Sequence, residues 1–395
     1  MHARTVLQKC FADVFMQMHA VRVQALVNAV TALLQCRRLV LMELARAWPG
    51  AERVRAPLKC LDRLLSNPHL QRERTALYAH MVRWLVRSPQ PVIVVDWSTL
   101  NAEESLHLLR AALAVGGRTL TLYEEVHEQG RQQSPSVHRA FLRRLNRLLP
   151  TDCQPIIVSD AGFRCPWFRE VEALGWSWIG RVRNHVCVKR EANASWQLAA
   201  TLYTGRADQV FGVVQLVRRQ SLSCCLLRHR QSLKGRKHRT RRGGVSRSKA
   251  SRAAARSQRE PWLLAYSRSL RAYSARQIIQ CYRQRMQIEL SFRDLKSDHY
   301  GCAFEHSRTR KPARVAVLLL LHALASFLAW LQGVALTHRQ QITHCAVRAG
   351  AKRAHYSVLR IGWESWRRHQ PPTHLLPLSL GHLPTWLAVP LGVAI

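Results

Sequence analysis

Three acidic residues stand where carboxylates could act on a phosphodiester. Asp96 closes the solid apolar run VIVVD, Asp160 closes PIIVSD, and Glu289 lies in a stretch with helical spacing. An Asp at the end of a buried strand is delivered to the carboxyl edge of a sheet, where open α/β folds place their sites. A single Asp there commonly only caps the next turn; two of them, joined by a helical Glu, are harder to dismiss. Carboxylates from two strands and a helix are hard oxygen ligands. They could hold two magnesium ions about 3.5–4 Å apart, one activating the attacking oxygen and one stabilising the leaving oxygen.

Around Glu289 the chain reads Tyr282, Arg285, Glu289, Lys296. Offsets of three, four and seven put these side chains on one face of a helix. A carboxylate flanked by Arg and Lys suits a metal ligand with phosphate-binding neighbours. The same spacing also suits a solvated helix with an Arg285–Glu289 ion pair.

The elements that must position these residues follow from periodicity. Residues 1–88 read as helical. Within them 39–48, a Pro49-Gly50 turn and a second helix form a candidate helix-turn-helix over 39–66, with Arg53, Arg55, Lys59 and Arg63 crowding the second helix. Any helical hairpin with a basic face would look similar. After Pro91 the order is strand, strand, strand, helix, strand, helix, strand, with Gly116-Gly117 joining the second and third strands as in a hairpin. This is an α/β layered core. β-like pieces follow (QVFGVVQLV, SCCLLRH), then a tract with thirteen Lys and Arg from Arg228 to Arg259, then the strand PWLLAYS and one helix over 275–296. Residues 315–336 are apolar enough to span a bilayer at about 20 residues. His322, Ser326 and Gln332 interrupt that run, and a helix buried in a protein core has the same composition; the core reading is preferred, with no membrane partner.

Composition narrows the partner. The 395 residues carry 61 Lys and Arg against 23 Asp and Glu, a formal net charge of +38, and 47% are hydrophobic. That is ample material for a folded core. The charge calls for a polyanion, most commonly nucleic acid, with a membrane surface or a ribosomal-type role as alternatives. Eleven cysteines without any C-x-x-C spacing argue for buried apolar residues in a reducing cytosol. No signal peptide is expected from the opening residues.

These motifs resemble those of the IS-four family of bacterial insertion-sequence transposases. The Tyr282-Arg285-Glu289-Lys296 stripe matches its tyrosine-arginine-glutamate-lysine signature, and the residues around Asp96-Trp97-Ser98 and Ser159-Asp160-Ala161-Gly162-Phe163 look like its first two catalytic motifs. RMQIELSFRDLKS and HSRTR are especially similar to the transposon-ten branch.

The resemblance implies an RNase H-like catalytic core, of the retroviral-integrase type, interrupted by a β-rich insertion, which agrees with the offset of 129 positions from Asp160 to Glu289. It implies Asp96, Asp160 and Glu289 as catalytic metal ligands for two Mg2+ ions, with Mn2+ able to substitute. It implies cut-and-paste chemistry on double-stranded DNA: end nicking, a hairpin, hairpin opening and joining to target, with a homodimer bringing two transposon ends together. Tyr282, Arg285 and Lys296 would hold the transferred-strand end and its flipped base, with Arg293 and Arg181 as further phosphate contacts. Trp262 sits where relatives keep a base-stacking aromatic, although a Trp opening a strand is commonly core. Met286 replaces the second tryptophan of the transposon-five branch and would act as an apolar wedge.

On this reading 1–88 is a helical N-terminal DNA-binding domain, 89–183 and 261–300 are two parts of the RNase H-like core, 184–260 is a basic β-rich insertion, and 301–395 is a helical C-terminal region that could contribute to dimerisation. The enzyme would work in the bacterial cytoplasm, on the nucleoid when bound to DNA. Two other readings share the acidic residues. A ribonuclease H-type metal-dependent nuclease would not need the N-terminal helices or the basic insertion. A domesticated DNA-binding protein that no longer cuts would carry a damaged triad, and the triad is intact.

Overall fold

In the computed structural model the described residues are 3–101, 103–190, 194–205, 207–231, 244–245, 248–249, 260–338 and 356–368. Most of the basic tract of 228–259, Cys345 and the ending beyond 368 lie outside them. The helices and strands run, in chain order, α1 (Ala3–Cys10), α2 (Ala12–Phe15), α3 (Ala20–Cys36), α4 (Leu41–Arg46), α5 (Arg55–Ser66), α6 (Pro68–Leu85), β1 (Val92–Thr99), β2 (Leu106–Ala114), β3 (Thr119–Glu128), α7 (Pro135–Leu148), β4 (Ile156–Ser159), α8 (Cys165–Ala173), β5 (Ser177–Val182), β6 (Cys187–Lys189), β7 (Gln197–Leu198), β8 (Gln209–Leu216), β9 (Leu222–His229), β10 (Trp262–Tyr266), α9 (Ala275–Arg283), α10 (Met286–Lys296), α11 (Pro312–His338) and α12 (Val358–Arg367). The fold is mixed α/β. Two compact units divide it: one reaches from the N-terminus to Pro155 and resumes at Gln284, and the other is Ile156–Arg283.

In the first unit, local chemistry sets the helix ends. Asn67 caps α6, its Oδ1 accepting from the backbone N–H groups of His69 and Leu70 at 3.0 Å each, with Pro68 in the first turn, where its missing N–H costs nothing. Apolar residues at three-to-four spacing, such as Val137, Phe141, Leu145 and Leu148 of α7, give each helix one buried face. β1, β2 and β3 pair antiparallel in the order β3-β2-β1. Gly116 and Gly117 of the connecting turn both have positive φ, which costs glycine nothing. The register sets Asp96 opposite Arg110 and Arg110 opposite Glu124, a polar row on one face of these strands.

α11 is buried on every side and packs against α3, α5, α6, α12 and β3. It is long and apolar enough to cross a membrane, yet 94% of its most apolar window is covered by the protein itself. Its crossing with α12 is made at glycine: a Cβ on Gly362 would lie 1.6 Å from the Ala329 carbonyl oxygen, and one on Gly333 2.0 Å from that of Val358. Any larger residue there would force the two helices apart.

In the second unit β4 and β5 are parallel, and the sheet continues through antiparallel pairs in the order β5-β10-β9-β8-β6-β7. α8 covers β5, with Phe168 stacked on Trp178 at 4.0 Å. The expected alternation of strands and helices holds. β6 and β7 are additional, being too short to leave a periodic signal.

One expectation fails. The single helix over 275–296 is two helices, α9 and α10, separated by a turn at Gln284 and Arg285. Neither Gly nor Pro lies there, so local propensity does not break it. The backbone instead tightens to bonds three residues apart, Gln287 N to Gln284 O at 3.0 Å and Ile288 N to Arg285 O at 3.2 Å. Gln287 Oε1 accepts from Gly117 N at 2.8 Å, fastening the new helix start to the hairpin turn. Tyr282 therefore does not share a helix with Glu289 and Lys296, and Arg285 stands at the turn between the two.

Candidate functional site

Asp96 ends the buried part of β1 and is itself 8% exposed. Its Oδ1 accepts from Trp97 N at 2.9 Å, which fixes the carboxylate plane. Its Oδ2 lies 3.3 Å from Arg285 Nη1, and Arg285 Nη2 donates to Glu289 Oε1 at 2.5 Å. One guanidinium therefore joins a strand-end carboxylate to a helix carboxylate. The Arg285–Glu289 ion pair that the spacing suggests is formed across the start of α10, and the same guanidinium also reaches Asp96.

α10 buries Ile288, Ser291, Phe292 and Leu295 and turns Met286, Glu289 and Arg293 outward. Glu289 has 43% of its side chain exposed and Met286 is 42% exposed. Lys296, expected among phosphate-binding residues, donates to Ser98 Oγ at 3.2 Å and to the Thr99 carbonyl at 3.1 Å. It ties α10 to the end of β1. Behind Asp96, Trp97 Nε1 donates to His138 Nε2 at 3.1 Å, and burial pushes His138 down to about 4, so the ring is a neutral acceptor. Nothing in the one-dimensional pattern singles out His138, because it comes from α7, 41 positions later.

Asp160 belongs to the second unit, directly after β4. Its Oδ1 accepts from Gly162 N at 2.8 Å, so it does cap its turn. Beside it opens a cleft of about 630 Å³ that includes Phe163, Arg164, Arg181, Arg183, His185 and Arg218. Sequence reasoning picks Arg181 from this group and misses the others, which become neighbours only through the sheet. Arg181 and Arg183 share Glu260, at 3.8 and 3.2 Å. Trp262 is half-buried, edge-on to Tyr282 at 4.9 Å and to His229 at 5.7 Å. Tyr282 is 3% exposed, its ring packed edge-on against that of Trp262.

Arg53, Arg55, Lys59 and Arg63 are all exposed. The last three line one side of α5, opposite its buried Pro57, Leu61, Leu64 and Leu65. The described cysteines are free, and most are buried. Among the described residues no group of three or more His, Cys, Asp or Glu side chains is gathered as a metal site. Two carboxylates sharing one cation are nonetheless the hard, anionic donors that a divalent ion takes.

Carboxylates at a strand end and on a helix thus share one guanidinium in a mixed α/β fold with clustered basic side chains. Residues 87–328 match the family described as transposase DDE domain, and the chain belongs to that family. Membership brings the RNase H-like α/β core of that family, DNA as partner and a general reliance on divalent metal. No curated protein matches the chain.

Proposed function

We propose that the chain is a cut-and-paste DNA transposase of the IS-four type, nearest to its transposon-ten branch, acting on the inverted-repeat ends of its own element and on target DNA. The observation that carries this reading is the sharing of Arg285 by Asp96 and Glu289, two carboxylates drawn to one cation. Asp96, Asp160 and Glu289 are the catalytic residues in this reading and would hold two magnesium ions, for which manganese could substitute. A bound divalent ion supplies Lewis-acid stabilisation of charge on the phosphoryl oxygens.

The chain's own residues do the positioning. Lys296 holds the end of β1 against α10 and so keeps Asp96 and Glu289 in reach of the same phosphate. Met286 and Arg293, on the outward face with Glu289, meet the DNA end. Trp262, propped by Tyr282, offers a ring on which an extruded base stacks, a contact worth about 1–3 kcal/mol. Arg181 and its cleft neighbours take backbone phosphates, and the helical N-terminal domain, with Arg53, Arg55, Lys59 and Arg63, binds the outer part of the end. Nicking, hairpin formation, hairpin opening and joining are each an in-line displacement at phosphorus, so one site serves all four. Synapsis of two ends calls for a homodimer on DNA, in the bacterial cytoplasm.

The test is cleavage of a labelled fragment carrying the element's end, in magnesium, by the intact chain and by Asp96→Ala, Asp160→Ala and Glu289→Ala. Loss of cutting in all three with end binding retained is expected. Undiminished cutting by any one breaks the triad. Release of flanking DNA without a cross-linked end species would remove the hairpin from the pathway.

A further inference from the structure

Beside the turn between β2 and β3, the first unit holds a cavity of about 30 Å³ lined in part by four arginines, Arg37, Arg110, Arg118 and Arg360. Asp294 is the one carboxylate among its described lining residues. The carboxylates around it are already committed. Asp294 pairs with Arg118 at 2.5 Å, Glu124 with Arg110 at 2.7 Å, and Glu364 serves both Arg360 at 2.8 Å and Arg37 at 3.6 Å. Glu364 is shared further with Arg367, at 2.9 Å. One largely buried cation is therefore in excess, and excess charge away from water demands a counter-charge.

Polar atoms without a protein partner belong to the same wall: His322 Nδ1, Ser326 Oγ and Arg37 Nε. His322 is 9% exposed and Ser326 4%. Four positions apart on α11, they share one face of that helix. Burial, with Arg110 and Arg37 nearby, holds the His322 imidazole down at about 3, so it is neutral and one ring nitrogen carries a proton to donate. Burial followed by repulsion from Arg360 also lowers Arg37. A water molecule would satisfy the hydroxyl and the imidazole but not the charge. An anion satisfies both. The volume admits a group of one or two water molecules' size and excludes a nucleotide.

We propose that this cavity is a binding site for a small inorganic anion of the size and charge of chloride, held by Arg37, His322 and Ser326. Ser291 and Asp294 of α10 form part of its wall.

Bromide is the probe. Crystals of the full chain soaked in bromide are expected to show an anomalous peak bounded by Arg37, His322 and Ser326. In solution the full chain is expected to melt at a higher temperature in sodium chloride than in sodium gluconate of equal ionic strength, with saturation, and Ser326→Ala to lose that increment. Anion binding elsewhere on so basic a chain raises both proteins alike, so the difference between them is the readout. Bromide at surface sites with only water in the cavity, or an equal chloride increment in both proteins, overturns the proposal. If Ser326→Ala does not fold, the bromide map of the unaltered chain decides.

Discussion

Arg285 Nη1 lies 3.3 Å from Asp96 Oδ2 across 189 positions of sequence, while its other terminal nitrogen holds Glu289 at 2.5 Å. Arg285→Ala leaves two carboxylates facing one region without a shared cation. Cleavage of a transposon-end fragment is expected to fall about ten- to a hundredfold, the usual cost of losing a group that orients ligands. Arg285→Lys should recover little, because an ammonium is a point charge and cannot fork between two acceptors. Single-turnover rates check this; an unchanged rate in the alanine variant would remove Arg285 from the site.

The exposed side of α5 makes a different, purely electrostatic prediction. Alanine at Arg55, Lys59 or Arg63 should weaken binding to end and unrelated DNA alike. Each phosphate deprived of its cation should lower the slope of log affinity against log salt by about 1. Fluorescence anisotropy at several salt concentrations measures the slope, and melting temperatures should stay level because these side chains are exposed. An unaltered slope in all three variants would mean that this helix does not touch the DNA backbone.

Arg110 and Glu124 form an ion pair 1% and 0% exposed, with Tyr78 Oη donating to Glu124 Oε1 at 2.7 Å. Arg110→Met strands a buried carboxylate and is expected to cost about 3–5 kcal/mol in urea unfolding. Adding Glu124→Gln removes the stranded charge and should return a large part of that loss. A single variant as stable as the parent would mean that water reaches this pair.

Acid should weaken the fold through His138. Burial first, and the nearby His127 second, depress its pKa to about 4. The unfolded chain takes up this proton near 6.5 and the folded chain only near 4, so the unfolded state binds more protons in between. Stability is therefore full above about pH 6.5 and declines as the pH falls toward 4, His322 acting in the same direction. His138→Gln, which keeps an acceptor for Trp97 Nε1, should flatten that part of the curve of urea midpoint against pH. A parent curve already flat across that acid range would contradict this assignment.

Much of the fold is legible because it is repetitive. The short apolar runs before Asp96 and Asp160 read as buried strands, the Gly116-Gly117 pair as a turn between two strands, and the three-to-four spacing of α7 as a one-sided helix. The break within 275–296 is invisible to periodicity because it is made by partners remote in sequence, Gly117 and Asp96, which no window of neighbouring residues contains.

The division of the site follows the same physics. Residue type and spacing by themselves determined the carboxylates, the basic excess and the family resemblance, since ligand chemistry and periodicity are properties of the chain read in order. Only the tertiary structure decided that Arg285 joins Asp96 to Glu289, that Lys296 is tied to Ser98, that His138 backs Trp97, and that four arginines line a cavity with too few carboxylates. Each of these is a hydrogen bond or charge balance between distant segments, and its existence depends on which faces the packed core leaves pointing at one another.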